Sequence, residues 1–72
     1  NSTDNKKLKR EKNEKIAKKR ADMIYALLER NKIKEAYRRF QMDKKPLSRF
    51  LDKNSFEMLE ITVVQSYNYL SD

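Results

Sequence analysis

The side chains with chemistry to offer are lysines and arginines crowded at one end. Residues 1–20 hold nine of them (Lys6, Lys7, Lys9, Arg10, Lys12, Lys15, Lys18, Lys19 and Arg20) against three acids, Asp4, Glu11 and Glu14, a net of +6. Residues 21–72 hold nine Lys/Arg and eight acids, a net of +1. The +7 of the chain is therefore a property of its first 20 residues. Cations at this density neutralise phosphates and release counterions, and a helix that carries them fits a major groove. Lysine outnumbers arginine seven to two in this stretch. That ratio favours point-charge contact with a sugar-phosphate backbone over the bidentate reading of bases.

Other chemistry is sparse. Histidine, cysteine and glycine are all absent. Thiol and imidazole catalysis, disulfide staples, His/Cys zinc sites and glycine-rich phosphate loops are excluded with them. Asp43, Asp52, Glu57 and Glu60 are among the carboxylates of the expected folded part, and they read as ordinary surface composition. Glu57 reads as a capping residue and Glu60 as a solvated helix residue. The expectation is a protein that is not an enzyme, with no catalytic, cofactor-binding or metal-binding residues and no small-molecule substrate.

The elements that would position the cations are helices. Ser2, Thr3 and Asp4 can each cap a helix running over residues 5–30. Glu11–Lys15 and Glu14–Lys18 are i,i+4 pairs in the favourable order. Apolar periodicity begins at Ile16 and Ala17 and continues through Ala21, Ile24, Leu27 and Leu28, the 3.6-residue pattern of a packed face. Before Ile16 there is no face to bury, so residues 1–15 are expected to form a basic solvated arm and residues 16–72 the helical domain. Asn31 suits the left-handed residue that ends a helix. Ile33, Ala36, Tyr37 and Phe40 then begin an antiparallel second helix. Asp43 and Pro46 read as a break, followed by a short third helix with Leu47, Phe50 and Leu51 on its stripe. Asn54 with Glu57 resembles a capping box for a last helix from Ser55 to about Leu70. Phe56, Leu59, Val63, Tyr67 and Leu70 share a face of it, and Met58, Ile61 and Val64 widen the apolar surface past half its circumference.

Two short stretches resemble known families. Asn13 to Arg20 is similar to the basic region of basic leucine zippers, with Asn13 and Ala17 at the family's Asn and second Ala positions. Ile16 replaces its first small residue, Ala21 its closing Arg, and no leucine heptad follows. Asn31-Lys32-Ile33 with Ala36 and Phe40 resembles the middle of a tetratricopeptide repeat, without its Trp and Gly positions or a second repeat. That likeness implies only helix-pair geometry and does not carry over a peptide-binding groove.

The fold expected is thus all-α, a small bundle of three to four helices with a long basic N-terminal helix extending beyond the core. No stretch approaches the roughly 20 apolar residues of a membrane span, and the expected location is cytoplasmic. Only about 55 residues supply a core, near the lower limit for folding alone. Burial against a protein partner or a second copy is therefore expected, through Tyr25, Met58, Ile61, Val64 and Tyr69. The rival expectation is a nucleic-acid-binding domain that uses the nine cations named above.

Overall fold

The computed structural model describes residues 2–71, Ser71 by its backbone alone. The expected arm and domain begin and end on Asn1 and Asp72, which lie outside the described residues. Three helices follow one another: α1 (Ser2–Glu29), α2 (Ile33–Phe50) and α3 (Lys53–Ser71). Among the described residues there is no strand, and no helix is long and apolar enough to cross a membrane.

The turn between α1 and α2 follows from Asn31. Its φ is 61°, in the left-handed region that a short polar residue tolerates. The Lys32 amide donates to the Leu27 carbonyl at 2.8 Å and the Asn31 amide to the Leu28 carbonyl at 3.0 Å. These two bonds are the Schellman pattern, and they satisfy carbonyls that the end of α1 would leave open. The chain reverses in three residues, and α2 packs back along α1. It also packs against α3, whereas α1 and α3 meet over a much smaller contact. The middle helix therefore carries the bundle.

The expected break at residues 43–53 is corrected: there are three helices, not four. Asp43 and Pro46 lie inside α2, which runs unbroken to Phe50. An interior proline removes one helical bond and costs about 3 kcal/mol. Packing overrides that cost. Ile33, Phe40 and Leu47 recur every seven residues, as do Ala36, Asp43 and Phe50, so the stripe keeps its phase through the proline. Phe40 and Leu47 are fully buried, each worth about 1.5–3 kcal/mol relative to exposure. The carbonyl that Pro46 leaves without a partner belongs to Met42, a residue 81% exposed, so water is at hand to replace the lost donor.

The start of α3 is also corrected. Asp52, not Asn54, caps the helix. Its Oδ1 accepts the Ser55 amide at 2.8 Å and its Oδ2 accepts the Ser55 hydroxyl at 2.6 Å. The Ser55 hydroxyl, and next the Ser55 amide, hold the Asp52 carboxyl below its ordinary value. The expected capping residues of α1 shift likewise: Ser2, Thr3 and Asp4 all stand within the helix.

Ala17, Ala21, Ile24, Ala36, Phe40, Leu47, Leu59 and Val63 form the core. Its three alanines let the helices approach closely but contribute little buried area. Aromatic pairs extend it. Phe40 meets Phe56 with ring centroids 5.8 Å apart. Tyr37 at the start of α2 stacks on Tyr67 near the end of α3, at 3.9 Å and 14°. Such pairs add roughly 0.5–1.5 kcal/mol beyond burial, and the second one fixes the far end of α3 against α2.

Candidate interaction surfaces

Helix lengths place the basic arm. The 28 residues of α1 span about 42 Å and the 18 of α2 about 27 Å, at about 1.5 Å per residue. Since the two are joined at one end and antiparallel, α1 overhangs α2 by ten residues, about 15 Å. The overhang contributes to an elongated molecule of 54 × 19 × 17 Å. Residues 2–12 are all exposed, Asn13 and Glu14 are half-buried, and Ala17 is the first buried residue of α1. Ile16, expected to open the packed stripe, is exposed.

The nine cations are all exposed but do not form one site. Lys6, Lys9 and Arg10 line a cleft at the root of the arm together with Asn13, Glu14, Arg49 and Phe50. Arg10 Nε lies 3.7 Å from Glu14 Oε1, one turn along the helix, so Glu14 pairs backward rather than forward to Lys18. The Arg49 guanidinium stands over the Phe50 ring, 5.5 Å from its centroid. Lys7 lies with Lys6 and Arg10 on a neighbouring surface near Thr3. Lys18 belongs elsewhere. It borders the cleft between α1 and α3, with Asp22 beside it. Lys12, Lys15, Lys19 and Arg20 remain on other parts of the helix surface.

Arg49 and Phe50 were not among the residues expected at a basic site. They stand far from the arm in sequence, and the break expected at Asp43 hid their return. Had α2 been read as continuous from the turn at Asn31, residue 49 would fall level with residue 13. The heptad phase of Phe40 and Leu47 was the signal for that continuity.

The expected protein-contact residues divide. Tyr25 and Met58 line the same α1–α3 cleft, with Leu51 and Ala21. Tyr25 is half-buried against the core, whereas Met58 is 60% exposed. Met58, Ile61 and Tyr69 fall within an arc of about 80° on α3, at 3.6 residues per turn. Ile61 is 50% and Tyr69 83% exposed. Val64 lies outside that arc and is half-buried. Two carboxylates make structural contacts: Asp52 caps α3, and Glu60 bridges to Lys44 of α2 at 3.4 Å.

A further property of this face is its charge. From Ile61 to Leu70 there is no ionisable acid or base except the tyrosine hydroxyls, in a chain that is 40% Asp, Glu, Lys and Arg. Leu70 is also exposed, but it lies about half a turn round α3 from Ile61, on the side of Val63. The arm and the end of α3 lie toward opposite ends of the molecule, because α3 runs parallel to α1 and starts level with its middle. No protein-family model, curated protein or solved structure matches the chain.

Proposed function

We propose that this chain is a non-enzymatic helical interaction module that associates with a second copy of itself through the charge-free end of α3. The observation that carries this reading is the pairing of exposed Ile61 and Tyr69 on one side of α3 with the absence of charge from Ile61 to Leu70. Two copies bearing +7 each repel one another. They meet most cheaply where neither brings a lysine or arginine, and a two-fold contact presents the same patch from both sides. Burying Ile61 and Tyr69 adds apolar area that a core rich in alanine does not supply. Met58 borders the patch and extends it toward the α1–α3 cleft.

The test is a light-scattering series over protein concentration, on wild type and on the double variant Ile61→Lys, Tyr69→Lys. The wild type is expected to rise in mass with concentration and the variant to stay at 8.7 kDa. Equal behaviour of the two, with both folded, would remove this reading.

A second reading is favoured by the overhang. A helix with side chains is about 10–12 Å across and a B-DNA major groove about 12 Å wide. The basic arm is an exposed helix extending about 15 Å past α2, at 1.5 Å per residue. In this reading the arm binds double-stranded DNA by phosphate contact, and the +6 of residues 1–20 supplies the affinity.

A further inference from the structure

We infer that a phosphate backbone of double-stranded DNA is held in the cleft at the root of the arm, with Arg49 of α2 as its decisive contact. The inference rests on the second reading above and names the site within it. A bare arm would offer cations around its whole circumference and no preferred path for a strand. The fold changes that. Lys6, Lys9, Arg10 and Asn13 share an arc of about 100° on α1, at 3.6 residues per turn, and this arc faces the end of α2 across the cleft. Arg49 and Phe50 form the opposite wall. Cations from two helices therefore converge on one channel, which neither helix could build alone.

The electrostatics suit an anion. The cleft is lined by four cations and by one acid, Glu14, which is engaged with Arg10. Phe50 supplies an apolar wall, with the Arg49 guanidinium carbon 5.5 Å from its ring centroid. A guanidinium held beside a ring is restrained, and its fork of N–H donors suits phosphate oxygens. Asn13 adds a neutral donor. The geometry also matches a duplex more than a free strand. The overhanging arm occupies a major groove about 12 Å wide, and Arg49 stands where the arm leaves the groove and the flanking backbone must pass. At about 3.4 Å per base pair, a 15 Å arm covers roughly four to five base pairs.

The experiment titrates the full chain into a fluorescently labelled duplex of about 20 base pairs, and into one of its strands alone, across a salt series of about 50–200 mM. Three proteins are compared: wild type, Arg49→Gln, and Lys34→Gln, whose exposed residue stands in the first turn of α2, away from the arm and the cleft. For the wild type, the logarithm of affinity falls with the logarithm of salt by about 0.9 for each phosphate neutralised. Arg49→Gln is expected to reduce that slope by about 1 and to weaken binding to every duplex sequence alike. Lys34→Gln is expected to leave the slope unchanged. Circular dichroism melts check that all three are folded, and the double variant Lys6→Gln, Lys9→Gln tests the opposite wall should Arg49→Gln unfold. An unchanged slope in Arg49→Gln, an equal loss in Lys34→Gln, or a single strand bound as tightly as the duplex would each overturn the cleft while leaving arm binding in place. No binding of the wild type at the lowest salt would remove the second reading and the cleft together.

Discussion

Residues 2–12 of α1 and residues 61–70 of α3 are both helical and both reach water, yet their chemistry is opposite. The arm holds five lysines and arginines, two acids and a single large apolar side chain, Leu8. The end of α3 has no acid or base and exposes Ile61, Tyr69 and Leu70. A helix with no apolar face has nothing to gain from a partner except charge neutralisation. A helix with an apolar face on both sides has nothing to gain from water. In a chain with so small a core, each exposed end thus points to a different class of contact, and the two respond to solution conditions in opposite ways.

The largest effect separates the core from both ends. Phe40→Ala removes the largest fully buried side chain and is expected to cost about 3–5 kcal/mol, enough to abolish a cooperative thermal transition followed by circular dichroism. Changing Lys6, Lys7, Lys9 and Lys12 all to Gln is expected to leave that transition within about 0.5 kcal/mol of wild type. If the arm variant melted as badly as Phe40→Ala, the arm would belong to the folding unit and the contrast would fail.

Next comes salt. If the arm neutralises three phosphates, its affinity for duplex DNA falls roughly fortyfold between about 50 and 200 mM salt. A charge-free contact between copies moves the other way, because salt screens the repulsion between two basic arms. Both responses can be measured on one sample, and salt dependences of the same sign would mean that the two ends do not differ in this way.

Tyr67→Ala tests what holds the end of α3 in place. Losing the stack on Tyr37 is expected to cost about 0.5–1.5 kcal/mol beyond the lost burial and to weaken self-association, although Tyr67 is not on the outer arc. Hydrogen exchange at the amides of residues 64–70 should quicken more than at those of residues 53–60. Uniform quickening would mean that the stack supports the whole bundle rather than that end.

The smallest effect is at Asp52. Ser55 lowers its pKa, so the folded state binds this proton more weakly than the unfolded chain. The stabilisation is complete above the ordinary aspartate range and is lost as pH falls through the lowered value. A melting midpoint that falls on acidification below about pH 4 is expected, and in Asp52→Ala this part of the fall disappears. Identical acid profiles in the two proteins would place the acid sensitivity elsewhere.

Much of the fold is legible in the residues because local and tertiary preferences agree. Asn31 ends α1 where a residue tolerant of positive φ stands between two apolar stripes. Ala17, Ala21 and Ile24 are buried at the spacing that marks them. Pro46 is where local chemistry and packing part company. Proline and the preceding Asp43 both read as a helix start, yet Leu47 stays in register with Phe40 and the stripe wins. That one misreading also concealed the root of the arm, since Arg49 and Phe50 return beside Asn13 only if α2 is continuous. Asn54 misleads in a smaller way: Asp52 already had a hydroxyl donor three residues on, in Ser55, and an ionised carboxylate is the stronger acceptor. The outward face of Met58, Ile61 and Tyr69 was legible from helical spacing. Which of Tyr25 and Val64 would join it was not, because both lie at the border of a stripe, where the crossing of the helices decides burial.

In the proposed function, the charge-free end of α3 joins two copies despite their basic arms. Sedimentation equilibrium on the wild-type chain at about 50 and 500 mM salt tests it directly. The mass is predicted to rise from 8.7 kDa toward twice that value as concentration increases, and to do so at lower concentration in the higher salt. A mass fixed at 8.7 kDa throughout, or association that weakens as salt is added, would contradict it.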